Sequence, residues 1–185
     1  MEQKLEAYRR KRNFLKTSEP SGKEEKAVGV KKRKIFAVQL HYARTTHFDF
    51  RLEWDGVLLS WAVPKGPSFN PKDKRLAVRV EEHPLDYADC EGVIPKGEYG
   101  GGTVLLWDKG YWTETEDFAR GLEKGSLKLR LDGKRLKGGW ALVRLNDKDK
   151  AEDEKENWLL FKEKDSFAKD TSGLTGRERR VKSVL

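Results

Sequence analysis

From Ile35 onward the chain alternates apolar and polar residues at period two, most clearly at residues 47–54. Phe48, Phe50, Leu52 and Trp54 fall on one side; His47, Asp49, Arg51 and Glu53 fall on the other. A strand sends successive side chains to opposite faces, so one face can wall a core while the other aligns an imidazole, a carboxylate and a guanidinium. Asp55-Gly56 predicts a two-residue hairpin turn, because both central positions need positive φ. The chain then returns over 57–63 and stops at Pro64-Lys65-Gly66-Pro67. A second alternating strand spans 75–83. Its pattern sends Leu76, Val78 and Val80 one way and Arg75, Arg79, Glu81 and His83 the other.

Further strands are predicted at 103–107 and 111–114, separated by a turn at Asp108-Lys109-Gly110, and then around 127–131, 140–145 and 158–161. Residues 116–124 read as a helix stopped by Gly125. Residues 84–102 are irregular, and a loop of that length is uncommon unless it is functional or disordered. About eight strands with turn signals between neighbours define an all-β, mainly antiparallel fold, and closure into a barrel would remove exposed edges. Residues 1–13 read as a short helix, 23–34 as a flexible basic connector, 146–156 as a solvated loop, and the tail from Lys164 has few core residues. The expected organisation is therefore a basic arm at 1–34, the barrel at 35–168 and a basic tail at 169–185.

Charge sharpens this division. Residues 1–34 hold 12 Lys and Arg against 5 Asp and Glu, residues 164–185 hold 6 against 3, and the stretch between holds 21 against 23. Basic flanks around a near-neutral core point to a polyanionic partner, nucleic acid first. No run approaches the ~20 apolar residues of a membrane span, and the N-terminus lacks an apolar signal region. A single cysteine, Cys90, rules out an internal disulfide and fits a reducing compartment, so the cytoplasm is expected. Cys90 itself lies between Asp89 and Glu91, which disfavour a thiolate, and is expected to be neither catalytic nor structural.

The three histidines, His41, His47 and His83, all fall in polar registers. His41, Asp49 and His83 make a three-ligand face with open positions, suited to Mn, Fe or Zn. His47 reads as a fourth ligand or, preferably, as an acid/base group beside the metal. Arg51 and Arg75 offer paired donors that match a phosphate, and Lys65 can add a point charge. Tyr99-Gly100-Gly101-Gly102 lacks the Lys-Ser/Thr of a nucleotide loop and reads as a tight β corner. A metal-free reading also exists, in which the same cations only grip nucleic acid. Single-strand binders of that kind display aromatics on the binding face, whereas those of 48–54 fall on the opposite face.

The string QLHYARTTHFDFRLEWDGVLLSWAVPKGPS, followed by KRLAVRVEEHPLDYADCEGVIPKGEYGGGTV and WDKGYW, resembles the 3′-phosphoesterase domain of bacterial ligase D, over residues 6–168. The resemblance implies a β barrel and a manganese-dependent end-healing enzyme of nonhomologous end joining, here in a stand-alone, monomeric form, with Zn2+ or Co2+ as other metals. Such an enzyme removes a 3′-terminal ribonucleoside from a DNA or DNA/RNA primer-template end and then the remaining 3′-phosphate. The implied partners are a separate ligase, polymerase and end-joining machinery. The family motif puts metal ligands on His41, Asp49 and His83. It puts the other active-site positions on Gln39, His47, Arg51, Lys65, Arg75, Glu81 and Tyr87, with Arg12 and Glu19 from the arm. Asn13 stands where the family carries Asp, and an amide cannot carry the carboxylate's charge.

Overall fold

The computed structural model describes residues 3–22, 33–145, 155–174, 176–179 and 181. Of the connector expected at 23–34, residues 23–32 lie outside the described residues, as do residues 146–154 of the loop expected at 146–156. The described residues form nine strands: β1 (Lys34–Tyr42), β2 (Thr46–Trp54), β3 (Val57–Val63), β4 (Arg75–His83), β5 (Gly92–Ile94), β6 (Gly102–Glu114), β7 (Ser126–Gly133), β8 (Lys137–Arg144) and β9 (Asn157–Lys162). Antiparallel pairings run β1-β2-β3-β4-β9-β8-β7-β6 and back to β1, closing an eight-stranded barrel. The short β5 adds to the start of β6. Between β2 and β3, Asp55 (φ 48°) and Gly56 (φ 82°) make the expected hairpin turn.

The interior is the apolar face of the alternation. Phe36, Val38 and Leu40 of β1, Phe48, Phe50 and Leu52 of β2, Trp61 of β3, Trp140 of β8 and Trp158 of β9 are all buried in one cluster. Each large side chain buried this way contributes about 1.5–3 kcal/mol. With the inside filled by rings, polar side chains of β1 and β2 have only the outer face. There a second, smaller cluster forms, with Tyr8, Ala37, Leu58, Tyr87 and Ala88 buried together. It docks two covers on the barrel wall: an N-terminal arm containing α1 (Glu6–Arg10) and the 3-10 turn Leu85–Asp89. The arm is clipped to itself by bonds from Tyr8 Oη to the Pro20 carbonyl (2.8 Å) and from Arg9 to the carbonyls of Ser21 and Gly22.

Three sequence expectations change. Residues 108–110 are not a turn; β6 runs unbroken through them. Gly110 allows this, because a Cβ there would strike the Asp132 carbonyl. Asp108 instead accepts hydrogen bonds from the N–H groups of Lys109, Lys134, Arg135 and Leu136, capping the β7–β8 turn from a neighbouring strand. The helix is shorter than expected: α2 (Phe118–Lys124) starts at its N-cap Asp117 and ends at left-handed Gly125. The tail is built into the fold, since Leu174 joins the core and the Asn70 amide donates to the Asp170 carbonyl at 2.7 Å.

β4 carries the fourth change. Arg75 lies opposite buried Leu160, and Arg79 opposite Trp61, so odd positions 75–79 face inward. Leu76, Val78 and Val80 therefore line the outside, where Leu76 is exposed. The register then shifts: Leu58 pairs with His83 and Ser60 with Val80, so β4 carries one extra residue there. This β-bulge, not simple alternation, turns His83 onto the outer face.

Candidate active site

The outer face of β1 and β2 reads across the ladder. Gln39 pairs with Asp49 and His41 with His47, while Asp49 pairs with Ala62 of β3 and Arg51 with Ser60. Directly opposed residues share a face, so Gln39, His41, His47, Asp49 and Arg51 meet there. Asp49 is buried, and its carboxylate lies 3.5 Å from His41 Nδ1, 3.6 Å from His47 Nε2 and 3.2 Å from Arg51 Nη2. Burial opposes a charge on Asp49, but Arg51, with hydrogen bonds from His41 and His47, holds its carboxyl well below the usual carboxylate range. Burial likewise opposes a charge on His47, and Asp49 outweighs it, raising the imidazole pKa.

Arg51 is fixed from three sides. Nε donates to Gln39 Oε1 (2.7 Å), Nη1 to Ser60 Oγ (2.8 Å) and Nη2 faces Asp49, while the guanidinium lies 4.7 Å from the Tyr87 ring centre. Gln39 is held in turn by the carbonyls of Tyr87 and Cys90, both at 2.8 Å. The arm completes the wall. Arg12 donates to Glu19 (2.8 Å) and Glu81 (3.1 Å) and faces His83 Nε2 at 3.2 Å. Tyr87 Oη donates to Glu19 at 2.9 Å, and burial pushes that phenol's pKa up. Glu81 also pairs with Lys11. Burial, then Arg51 and Arg12, push His83 well below its ordinary pKa and keep it neutral.

All three histidines share one feature that sequence could not show. His41 Nε2 meets the Gly100 carbonyl at 2.8 Å, His47 Nδ1 the Thr45 carbonyl at 2.8 Å, and His83 Nδ1 the Glu81 carbonyl at 2.9 Å. Each ring is thereby oriented, with its other nitrogen turned to the site. Metal-ligating histidines are held in this way. Among the described residues, the donor atoms that come within 4.8 Å of one another are those of His41, His47 and Asp49. An imidazole–carboxylate set of this kind fits a divalent transition metal. This group differs from the expected set of His41, Asp49 and His83 at one position: His47 is in it, while His83 faces the Arg12 cation at 3.2 Å.

Of the remaining expected residues, Gln39, Arg51, Tyr87, Glu81, Arg12 and Glu19 are in this network. Arg75 is not brought to it: it follows the inward register and pairs with Asp73 at 2.9 Å. Lys65 is exposed in the loop after β3. Asn13 is exposed too, and its side chain accepts from the Leu15 N–H at 3.1 Å. Cys90 contributes its backbone to the site through Gln39, and burial raises its thiol pKa to about 11.

A closed barrel carrying a metal-capable donor set beside paired arginines defines the class of site; comparison with known proteins defines the family. The family model of the DNA ligase D 3′-phosphoesterase domain matches residues 39–144. The chain belongs to this family. It is 49% identical over 183 residues, 98% of its length, to the multifunctional non-homologous end joining protein LigD of Pseudomonas aeruginosa. It is 46% identical over 143 residues to the LigD of Mycobacterium tuberculosis, described as a multifunctional non-homologous end joining DNA repair protein, covering 77% of this chain. The Mycolicibacterium smegmatis LigD is 40% identical over 169 residues, 88% of this chain. The chain spans about a fifth of the length of these relatives, 21%, 18% and 21% respectively.

Proposed function

We propose that this chain is a Mn2+-dependent 3′-end-healing phosphoesterase of DNA repair, which removes a 3′-terminal ribonucleoside and then the 3′-phosphate from a primer strand. The observation that supports it most is the carbonyl-oriented set His41, His47 and Asp49, placed beside the guanidinium groups of Arg51 and Arg12. These three residues would hold the metal, whose chemistry is to polarise a phosphate oxygen and activate water. Arg12 and Arg51 offset charge that develops on the phosphoryl oxygens. Neutral His83, with Nδ1 engaged by a carbonyl, can take up a proton at Nε2, so we assign it the acid/base role first expected of His47. Lys65, exposed at the end of β3, would meet a neighbouring strand phosphate. Its partners are DNA or DNA/RNA primer-template ends, with a separate ligase, polymerase and end-joining machinery consuming the healed end.

The test is a labelled primer–template with one 3′ ribonucleotide, incubated with Mn2+, Mg2+, Zn2+ or EDTA. The expected result is a shortened strand ending first in 3′-phosphate and then in 3′-OH, with Mn2+ and not with EDTA. Binding without cleavage under every metal would establish a non-catalytic module instead. Dominant internal cuts would establish a nuclease.

A further inference from the structure

One aromatic ring at the site has no part in this chemistry. Residues 95–101 form a tight double turn: Glu98 N–H donates to the Pro95 carbonyl at 3.1 Å and Gly101 N–H to the Glu98 carbonyl at 3.0 Å. Gly97 (φ 99°) and Gly100 (φ 76°) supply the left-handed positions the turn requires. The Gly100 carbonyl is the one that fixes His41, so the backbone of Tyr99 is set relative to the donor group. Lys16 pairs with Glu98 at 3.5 Å, tying the arm to the same turn. The Tyr99 ring has Lys11 Nζ 5.0 Å and Arg12 Cζ 5.2 Å from its centre, yet the residue is 42% exposed. Its hydroxyl reaches Lys11 only at 3.5 Å, a contact that does not call for an aromatic.

The ring thus stands on the turn that holds His41 and beside Arg12, which itself faces His83. A nucleotide whose phosphate meets the metal-capable set and Arg12 carries its base one sugar away, within reach of this exposed ring. Stacking on an aromatic side chain tolerates any base, because every base has a π face. An enzyme that trims ends of unspecified sequence needs that tolerance. Cations beside the ring suit the flanking phosphates as well as the ring itself.

We propose that Tyr99 is the stacking platform of a nucleobase subsite, holding the base of the 3′-terminal nucleoside; this rests on the phosphoesterase reading above. The test compares the full chain with Tyr99→Ala and Tyr99→Phe on two primer–templates, one ending in an ordinary ribonucleotide and one in an abasic ribose. Loss of stacking should lower kcat/KM of Tyr99→Ala about 5- to 100-fold on the base-bearing end. The same variant should match the wild type on the abasic end, and Tyr99→Phe should match it on both. In a second readout, without metal, a 3′-terminal 2-aminopurine should be quenched on binding the wild type and Tyr99→Phe but not Tyr99→Ala. Equal loss on both ends would show that residue 99 only positions His41, and would overturn the proposal. So would an unchanged Tyr99→Ala, or no quenching by the wild type. Tyr99-dependent quenching by a wild type that cleaves no end would uphold the subsite while refuting the phosphoesterase reading.

Discussion

Replacing Arg51 by Met should destabilise the metal-free protein by about 3 kcal/mol at pH 7. Arg51 is 2% exposed and Asp49 6%, so their pair is a buried one. Removing one partner of such a pair costs about 3–5 kcal/mol, because the other charge is left buried. The lower end applies here. Gln39 keeps its carbonyl partners at Tyr87 and Cys90, Ser60 keeps the Leu58 carbonyl, and Asp49 keeps His41 and His47. For a chain of this size about 3 kcal/mol corresponds to a fall in Tm of roughly 6–12 °C. The pH dependence gives a second check. Asp49 has a depressed pKa in the folded state, so its contribution is present above the unfolded value and is lost as pH falls through the folded one. Burial is the largest influence on Asp49 and raises its pKa, and Arg51 is the first that lowers it. The variant's Asp49 should therefore protonate at higher pH, and the gap to the wild type should close as pH falls from 7 toward about 4. Urea unfolding in EDTA at several pH values measures both. Mn2+ should also narrow the gap, since a cation at His41, His47 and Asp49 supplies the missing counter-charge. A loss under about 1 kcal/mol at pH 7, or a gap that widens in acid, would refute the reasoning.

Two other outcomes follow from the same geometry. His47→Ala should abolish Mn2+ binding in calorimetry while His83→Ala retains it; the reverse result would restore His83 to the ligand set. Cys90, with its thiol pKa pushed to about 11 by burial and then Glu19, should react with iodoacetamide at pH 8 roughly 100-fold slower in the folded chain than in urea, and an equal rate would show that it ionises normally.

The site was legible where the strand is regular. From 46 to 54 β2 pairs without a bulge on both sides, so period two put His47, Asp49 and Arg51 on one face, and the β1 register added Gln39 and His41. The same rule misplaced Arg75, because the parity was counted back from His83 through an extra residue that the sequence does not announce. Apolar Leu76, Val78 and Val80 share one face, as the alternation has it, but that face is the outer wall, where they are exposed or half-buried. At 108–110 the composition of a turn was present, yet its Asp serves a turn 26 and 27 residues further on, a partnership that the β6–β7 pairing creates. Arg12 and Glu19 came from family resemblance alone. No periodic signal marks a residue whose partners, Glu81 and His83, are 69 and 71 positions away.

That distance explains why the site needs an arm. The interior is filled by Trp61, Trp112, Trp140 and Trp158, so the charged network had to be built on the outside of the wall. An outside network left bare would give Asp49 and Arg51 to water, which would weaken their pair and free the rings from their carbonyls. Tyr8 and Tyr87 cover it, joined through Arg12 and Glu19 rather than through the ladder of the sheet. No barrel pairing therefore depends on the cover, and the cover's hold on the wall is one of side chains. His41, His47 and Asp49 have their backbones on β1 and β2, whereas Arg12 belongs to the arm and Tyr99 to the turn that holds His41. The division matches the chemistry proposed for each part: metal-holding donors on the sheet, and contacts to phosphate and base on the arm and the 95–101 turn.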